Sequence, residues 1–165
     1  MQALVKQLHL GIRVVSSVTL QENLLEQIRS SDLIEDQRLI AVMIIAKIDD
    51  YGYLQASVDE LSCATNIRPE TIYEVLKIIQ TFHPTGVGAR DLRECLLLQL
   101  ERDGKQGTIE HRIVSECMEA LGKRRIHEIA RTLDTTVEEV QSAIARIAHL
   151  EPRPGRVFMS GNDFE

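Results

Sequence analysis

The chain is organised around residues 82–100, which read FHPTGVGARDLRECLLLQL. Pro84, Gly86 and Gly88 interrupt regular structure, and an apolar helical pattern follows at once. The break, which we call the hinge (residues 82–91), lies near the middle of 165 residues. Helical patterns continue on both sides of it. The stretch therefore predicts an all-α chain of two small helical subdomains.

Composition supports helices and argues against nucleic-acid binding by the chain itself. Hydrophobic residues make up 44% of the sequence, aromatic residues only 4%, and tryptophan is absent. A core of leucine, isoleucine, valine and alanine suits helix bundles better than β-sandwiches. The net charge is −6 and both halves of the chain are acidic. A protein that binds phosphates usually carries a basic excess.

The cysteines and the apolar runs predict a cytoplasmic protein. Cys63, Cys95 and Cys117 are widely spaced and odd in number, so we expect free thiols in a reducing compartment rather than a disulfide framework or a metal site. No signal peptide is recognisable, and the apolar runs are too short to span a bilayer. Residues 1–18 are expected to form a leader or the end of a truncated segment, and residues 159–165 a tail.

Helix boundaries follow from capping signals. Thr19, Ser57 and Thr136 are each followed three residues later by a glutamate, which is the capping-box pattern. Pro69 suits the first position of a helix, and Gly52 suits a positive φ in the turn after a helix. The second helix is apolar almost all round, which predicts a central position in its bundle. About eight helices are predicted, near residues 20–29, 34–48, 58–64, 69–81, 89–101, 109–121, 126–133 and 137–150.

The two halves of the sequence match at nearly constant shifts, which indicates an internal repeat. A shift of 72 residues aligns the pattern from Leu20 with the pattern from Leu92. A shift of 68 aligns Val58 with Ile126 and continues as far as Pro152. We therefore predict a first subdomain at 19–86 and a second at 87–158. The last two helices of each have a helix-turn-helix outline.

Neither helix-turn-helix outline is suited to reading DNA. The second helix of each pair has a net charge of −1 and begins with glutamates, Glu70 in the first and Glu138 and Glu139 in the second. A recognition helix presents cations and amides to the phosphates and base edges. The outlines favour protein contacts, with a tandem helix-turn-helix DNA-binding regulator as the alternative.

No group of residues predicts catalysis, a cofactor or a metal. The run from Gly86 to Gly88 lacks the preceding strand of a phosphate-binding loop, and Asp49 and Asp50 are interpreted as the end of a helix. No nucleophile is paired with a base and an oxyanion donor, so we expect no enzyme and no small-molecule substrate. The one basic run, Lys123, Arg124 and Arg125, is interpreted as a solvated loop, and it is also the candidate contact for an acidic partner or a phosphate.

Four stretches together resemble one protein family, sigma-54, the enhancer-dependent bacterial sigma factors. The hinge run 84–100 is similar to the family's central region, and the resemblance extends over residues 19–158. The supporting stretches are 19–27, 49–54 and 150–155. His83 departs from the pattern, since the family more often has aspartate there.

The resemblance implies an excised core-binding domain of two helical subdomains. Its implied partner is bacterial core RNA polymerase. Promoter DNA and an ATP-driven activator would be reached only through the full-length protein. The Gln/Leu-rich start, the acidic linker and the C-terminal DNA-binding part of the family have no counterpart in these 165 residues.

Two short stretches are the candidate site, either as polymerase contacts or as the seam that sets the angle between the subdomains. They are the turn (Tyr51, Gly52, Tyr53, Leu54) and the hinge with its helix start (Gly86, Val87, Gly88, Ala89, Arg90, Asp91).

Overall fold

The computed structural model describes residues 18–159, in which helices are joined by turns and loops and no β-strand occurs. The predicted all-α fold is confirmed. The leader and the tail lie almost entirely outside the described residues. The helices are α1 (Leu20–Arg29), α2 (Glu35–Ala46), α3 (Val58–Thr65), α4 (Pro69–Ile79), α5 (Leu92–Arg102), α6 (Ile109–Glu116), α7 (Met118–Gly122), α8 (Ile126–Leu133) and α9 (Val137–Ile147), followed by a 3₁₀ helix (Pro154–Phe158).

Most helix starts lie where the capping signals predict them. The Thr19 and Ser57 side chains accept hydrogen bonds from Glu22 N and Glu60 N, and both glutamates reach back to complete a capping box. Pro69 occupies the first turn of α4. Thr136 caps α9 by accepting from Glu139 N, but no reciprocal bond forms. The prediction of a third capping box is therefore wrong, because the Glu139 carboxylate accepts a hydrogen bond from the Thr135 hydroxyl instead.

The internal repeat is visible in the helix starts. Helix α1 begins at Leu20 and α5 at Leu92, which is the shift of 72. Helices α3 and α4 begin 68 residues before α8 and α9. The turn inside each helix-turn-helix outline also matches, since Asn66 (φ 57°) and Asp134 (φ 53°) are both left-handed and 68 residues apart. Asparagine and aspartate are the non-glycine residues that best tolerate this conformation.

Two clusters of buried apolar side chains form the interior. Helices α1–α4 supply the first, together with Leu54, Phe82 and Val87 from the connecting segments. Helices α5–α9 supply the second. The stripe predicted for α4 is confirmed, because its members are fully buried: Ile72, Val75, Leu76 and Ile79. Phe158 packs back against the first cluster. The subdomain limits at 86 and 87 stay a prediction.

Helix α2 is not the central helix that its apolar sequence predicts. It packs against α1 and α4, and this side buries Ile40, Ala41, Ile44 and Ile45. The opposite side carries Leu39 and Val42, whose exposed fractions are 68% and 46%. The prediction fails because two neighbours on one side leave the other side to solvent.

Two further boundaries differ from the prediction. Helix α5 begins at Leu92 rather than Ala89, because residues 86–91 form a non-helical connection. Residues 86–89 of this connection are buried, and the exposed Asp91 ends it by capping the helix. The predicted helix over 109–121 breaks at Cys117, where φ is −127° and ψ is 29°. Within residues 18–159 no helix is long and apolar enough to cross a membrane.

Candidate functional site

The turn at 51–54 and the hinge lie side by side in the structure. Gly88 N donates to Gly52 O at 2.8 Å, and Leu54 N donates to Ala89 O at 2.9 Å. Tyr53 and Ala89 form an isolated parallel bridge. Gly52 has the predicted positive φ, at 100°. The structure therefore brings the two predicted halves of the candidate site together.

Most of these residues are enclosed rather than presented to a partner. Tyr51, Arg90 and Asp91 are exposed and Tyr53 is half-buried. The others are buried: Gly52, Leu54, Gly86, Val87, Gly88 and Ala89. A buried side chain cannot meet a partner unless the packing opens, so the burial supports the seam interpretation for these six. Whether the exposed three bind polymerase remains a prediction.

Glu94 closes the hinge from the first turn of α5. Its carboxylate accepts from Arg90 N at 2.8 Å, from the Arg90 guanidinium, and from Gln80 Nε2 at 3.1 Å. Burial alone would raise the pKa of Glu94, but the hydrogen bonds from Arg90 outweigh it and hold this pKa below its ordinary value. The same bond raises the pKa of Arg90. The carboxylate is thus charged and joins the end of α4 to the start of α5.

A third segment completes the junction from the far end of the chain. We call residues 152–158 the strap. Tyr53 Oη donates to Pro152 O at 2.6 Å, and Gly155 N donates to Tyr51 O at 2.9 Å. The Arg153 guanidinium lies 4.9 Å from the centroid of the Tyr51 ring. The strap therefore attaches the end of the second helical unit to the first.

Gly155 allows the strap to approach the backbone of the first unit. A Cβ built at this position would lie 2.1 Å from Asp50 O and 2.9 Å from Leu20 Cδ2. Only glycine fits at that separation without moving the backbone.

Burial raises the pKa of Tyr53 far above its ordinary value, so the Tyr53 hydroxyl stays protonated and remains a donor to the strap.

One glutamine in each unit holds the backbone that follows its last helix. Gln27 donates through Nε2 to His83 O at 2.7 Å and accepts from His83 N at 2.9 Å. Gln99 donates to Glu151 O at 2.7 Å and accepts from Glu151 N at 2.8 Å. The glutamines are related by the shift of 72, and the two backbone positions by 68. We call each pair of bonds a glutamine clamp.

The basic run lies elsewhere, between α7 and α8. Lys123 Nζ pairs with Glu119 at 2.8 Å, and Arg125 approaches Glu128 at 3.6 Å. Arg124 has a positive φ of 54°. No hydrogen bond or ion pair among residues 18–159 joins this run to the hinge, so the basic run is a separate candidate contact.

Two features were not predicted as parts of the site from the sequence. One is the exposed apolar side of α2, which includes Leu39 and Val42 and lies near the exposed N-cap residue Ile34. Its signal was an apolar helix with no polar face, which indicates either a central helix or a helix with a partner. The other is the strap, whose signal was a pair of prolines beside Gly155. Near these features, as in the rest of residues 18–159, no group of three or more His, Cys, Asp or Glu side chains could hold a metal ion.

Taken together, the fold and the site define a duplicated, all-helical domain in which the turn at 51–54, the hinge and the strap meet. The family described as sigma-54 factor, core binding domain matches residues 12–164. The chain belongs to this family. Sigma factors are transcription proteins and not a class of enzymes.

Full-length relatives show the same similarity. The chain is 36% identical over 141 residues to an RNA polymerase sigma-54 factor of Acidithiobacillus ferridurans, which covers 83% of the chain and 30% of that protein. It is 35% identical over 150 residues to the sigma-54 factor of Pseudomonas aeruginosa, with 87% and 30% covered. The chain thus spans about 30% of the length of these relatives.

Proposed function

We propose that this chain binds bacterial core RNA polymerase and attaches a sigma-54-type factor to it. The match to the core-binding family over residues 12–164 is the observation that carries the proposal. The acidic charge and the glutamates that begin α4 and α9 agree with a protein partner. They disfavour the alternative of a tandem helix-turn-helix DNA-binding regulator.

In the full-length protein this domain would serve promoter-specific, activator-dependent transcription in the bacterial cytoplasm. Promoter DNA and the ATP-driven activator would be contacted by other parts of that protein. The role of the domain is then to hold polymerase while those parts act.

The exposed apolar side of α2 is our first choice for the polymerase contact. Leu39 and Val42 lie three residues apart on one face, and Ile34 at the N-cap is 63% exposed. Large apolar side chains that are exposed in the free protein become buried when a partner binds, and this burial stabilises the complex. Because they contribute little to the packing of the free protein, replacing them should leave the fold intact. Among the hinge and turn residues, Tyr51, Arg90 and Asp91 are the second choice because they are exposed.

Biolayer interferometry with purified core polymerase tests the function. The wild-type chain is expected to bind saturably, and a Leu39→Ser/Val42→Ser variant to bind about tenfold more weakly with an unchanged unfolding midpoint. Arg90→Ala/Asp91→Ala is measured beside it. If that folded variant binds like wild type, the hinge is structural only. Absence of wild-type binding, or strongly salt-dependent duplex-DNA binding instead, would overturn the proposal.

A further inference from the structure

The two helix-turn-helix outlines carry a groove at the same place. Each groove lies between the start of the first helix and the start of the second. The first groove, at α3 and α4, has a volume of about 500 Å³, and the second groove, at α8 and α9, about 390 Å³. The shift of 68 carries Val58 onto Ile126, Pro69 onto Val137 and Tyr73 onto Gln141. The grooves are therefore duplicates of one another.

Their charge is opposite. The first groove is lined by three carboxylates, Asp59, Glu70 and Glu74. The second is lined by three guanidinium groups and a single carboxylate, and these residues are Arg124, Arg125, Arg131 and Glu128. Between the copies Asp59 is replaced by His127. The duplicated grooves are thus suited to ligands of opposite sign.

The first groove already contains a cation from its own chain. The Arg90 guanidinium lies 5.8 Å from the centroid of the Tyr73 ring and lines the groove beside the carboxylates. Glu94 fixes its position from behind. The hinge therefore supplies part of the complementary charge that the acidic groove needs.

Among the described residues, no other segment places a carboxylate in the second groove. Within the described part of the chain the side chains of Arg124, His127 and Arg131 make no hydrogen bond or ion pair, and Arg125 approaches only Glu128, at 3.6 Å. The Arg125 and Glu128 side chains are both about half exposed. Surface ion pairs of this kind contribute little, so Arg125 remains available to a stronger anionic partner.

The surroundings of the second groove fit a polypeptide better than a nucleic acid. Ile126 and Val137 supply an apolar floor, which a phosphate backbone would not use. Glu138 and Glu139 in the first turn of α9 would repel successive phosphates. A volume of about 390 Å³ accepts one or two side chains rather than a helix.

We propose that the groove between α8 and α9 binds an acidic segment of core RNA polymerase, with carboxylates on Arg124, Arg125 and Arg131 and an apolar side chain on Ile126 and Val137. This inference rests on the proposed function, because the occupant belongs to the polymerase.

Charge reversal with a matched control tests the groove by interferometry against core polymerase. Arg124→Glu/Arg131→Glu reverses two unpaired groove charges. Arg29→Glu/Arg68→Glu makes the same change in net charge at two exposed arginines of the first unit. We expect the groove variant to bind at least about tenfold more weakly and the control within about threefold of wild type. Circular dichroism checks folding, and Arg124→Gln/Arg131→Gln supplies a milder variant with a smaller expected loss.

A photo-crosslinking amino acid in place of Gln141 identifies the occupant. The expected crosslinked polymerase peptide is rich in aspartate and glutamate. If wild type binds but both groove variants bind equally well, or the control loses as much, the groove inference fails while the proposed function stands. A crosslink to a basic peptide, to DNA or to another part of the sigma factor also overturns it. Loss of wild-type binding removes both proposals.

Discussion

The two glutamine clamps use the same bonds in different surroundings. Gln27 holds His83, which is exposed, whereas Gln99 is itself buried and holds Glu151 beside the junction. In the first unit the residue that is held, His83, lies within the hinge. In the second unit the held residue, Glu151, leads into the strap. The strap folds back onto the first unit, where its Gly155 contacts Tyr51 and Asp50. The two clamps are copies of one arrangement. The buried copy at Gln99 holds the segment that joins the two units, so we expect it to matter more for the stability of the whole domain.

A side chain added at Gly155, where the strap contacts the first unit, should reduce the stability of the protein more than any other change proposed here. Gly155→Ala places a methyl group 2.1 Å from Asp50 O, so the strap or the turn must move. We expect a loss of about 3 kcal/mol in the free energy of unfolding, measured by urea denaturation. Gly122→Ala is the control, because nothing lies within 4 Å of that Cβ. It should be neutral or stabilising by about 0.5 kcal/mol. Equal results for the two variants would mean that the strap does not pack closely.

The clamps themselves can be compared by removing one at a time. Gln99→Leu leaves the Glu151 N–H and C=O without their partner in a mostly enclosed place, and we expect a loss of about 2 kcal/mol. Gln27→Leu should cost about 0.5 kcal/mol, because water can replace the bonds at His83. Urea denaturation of both variants measures the difference. A larger loss at Gln27 would reverse our ranking of the two surroundings.

The smallest expected effect concerns Glu94, whose contribution to stability should depend on pH more than that of its repeat counterpart, Glu22. Because the pKa of Glu94 is lowered in the folded protein, its contribution is present above the unfolded value of about 4.3 and is lost as pH falls through the lower folded value. Glu94→Gln should cost about 1 kcal/mol at pH 7, and this difference from wild type should shrink towards about pH 3.

The control for this prediction is Glu22→Gln, which lies 72 residues earlier at the exposed start of α1. We expect a smaller loss there, because an exposed carboxylate is well screened by solvent. Denaturation curves at both pH values decide the matter. A Glu94→Gln difference that grows in acid would contradict the assigned role.

Local signals predicted what depends on neighbouring residues. Thr19, Ser57 and Pro69 fixed helix starts because capping involves a few adjacent groups. The stripe of α4 predicted its buried face for the same reason. The repeat could be read because both shifts survive in the apolar pattern.

What depends on distant packing could not be read in this way. Nothing local in α2 says that Leu39 faces solvent, since its exposure results from where α1 and α4 lie. The pairing of Gly155 with Asp50 joins residues more than a hundred positions apart. The glutamine clamps were aligned in sequence, but their backbone partners appear only in three dimensions.

The close approach of Gly155 to Leu20 has a consequence for any longer protein that contains this domain. A polypeptide entering at α1 and leaving after the strap would do so at neighbouring points, because a Cβ at Gly155 would touch the Leu20 side chain. The domain then behaves as an insertion with adjacent ends.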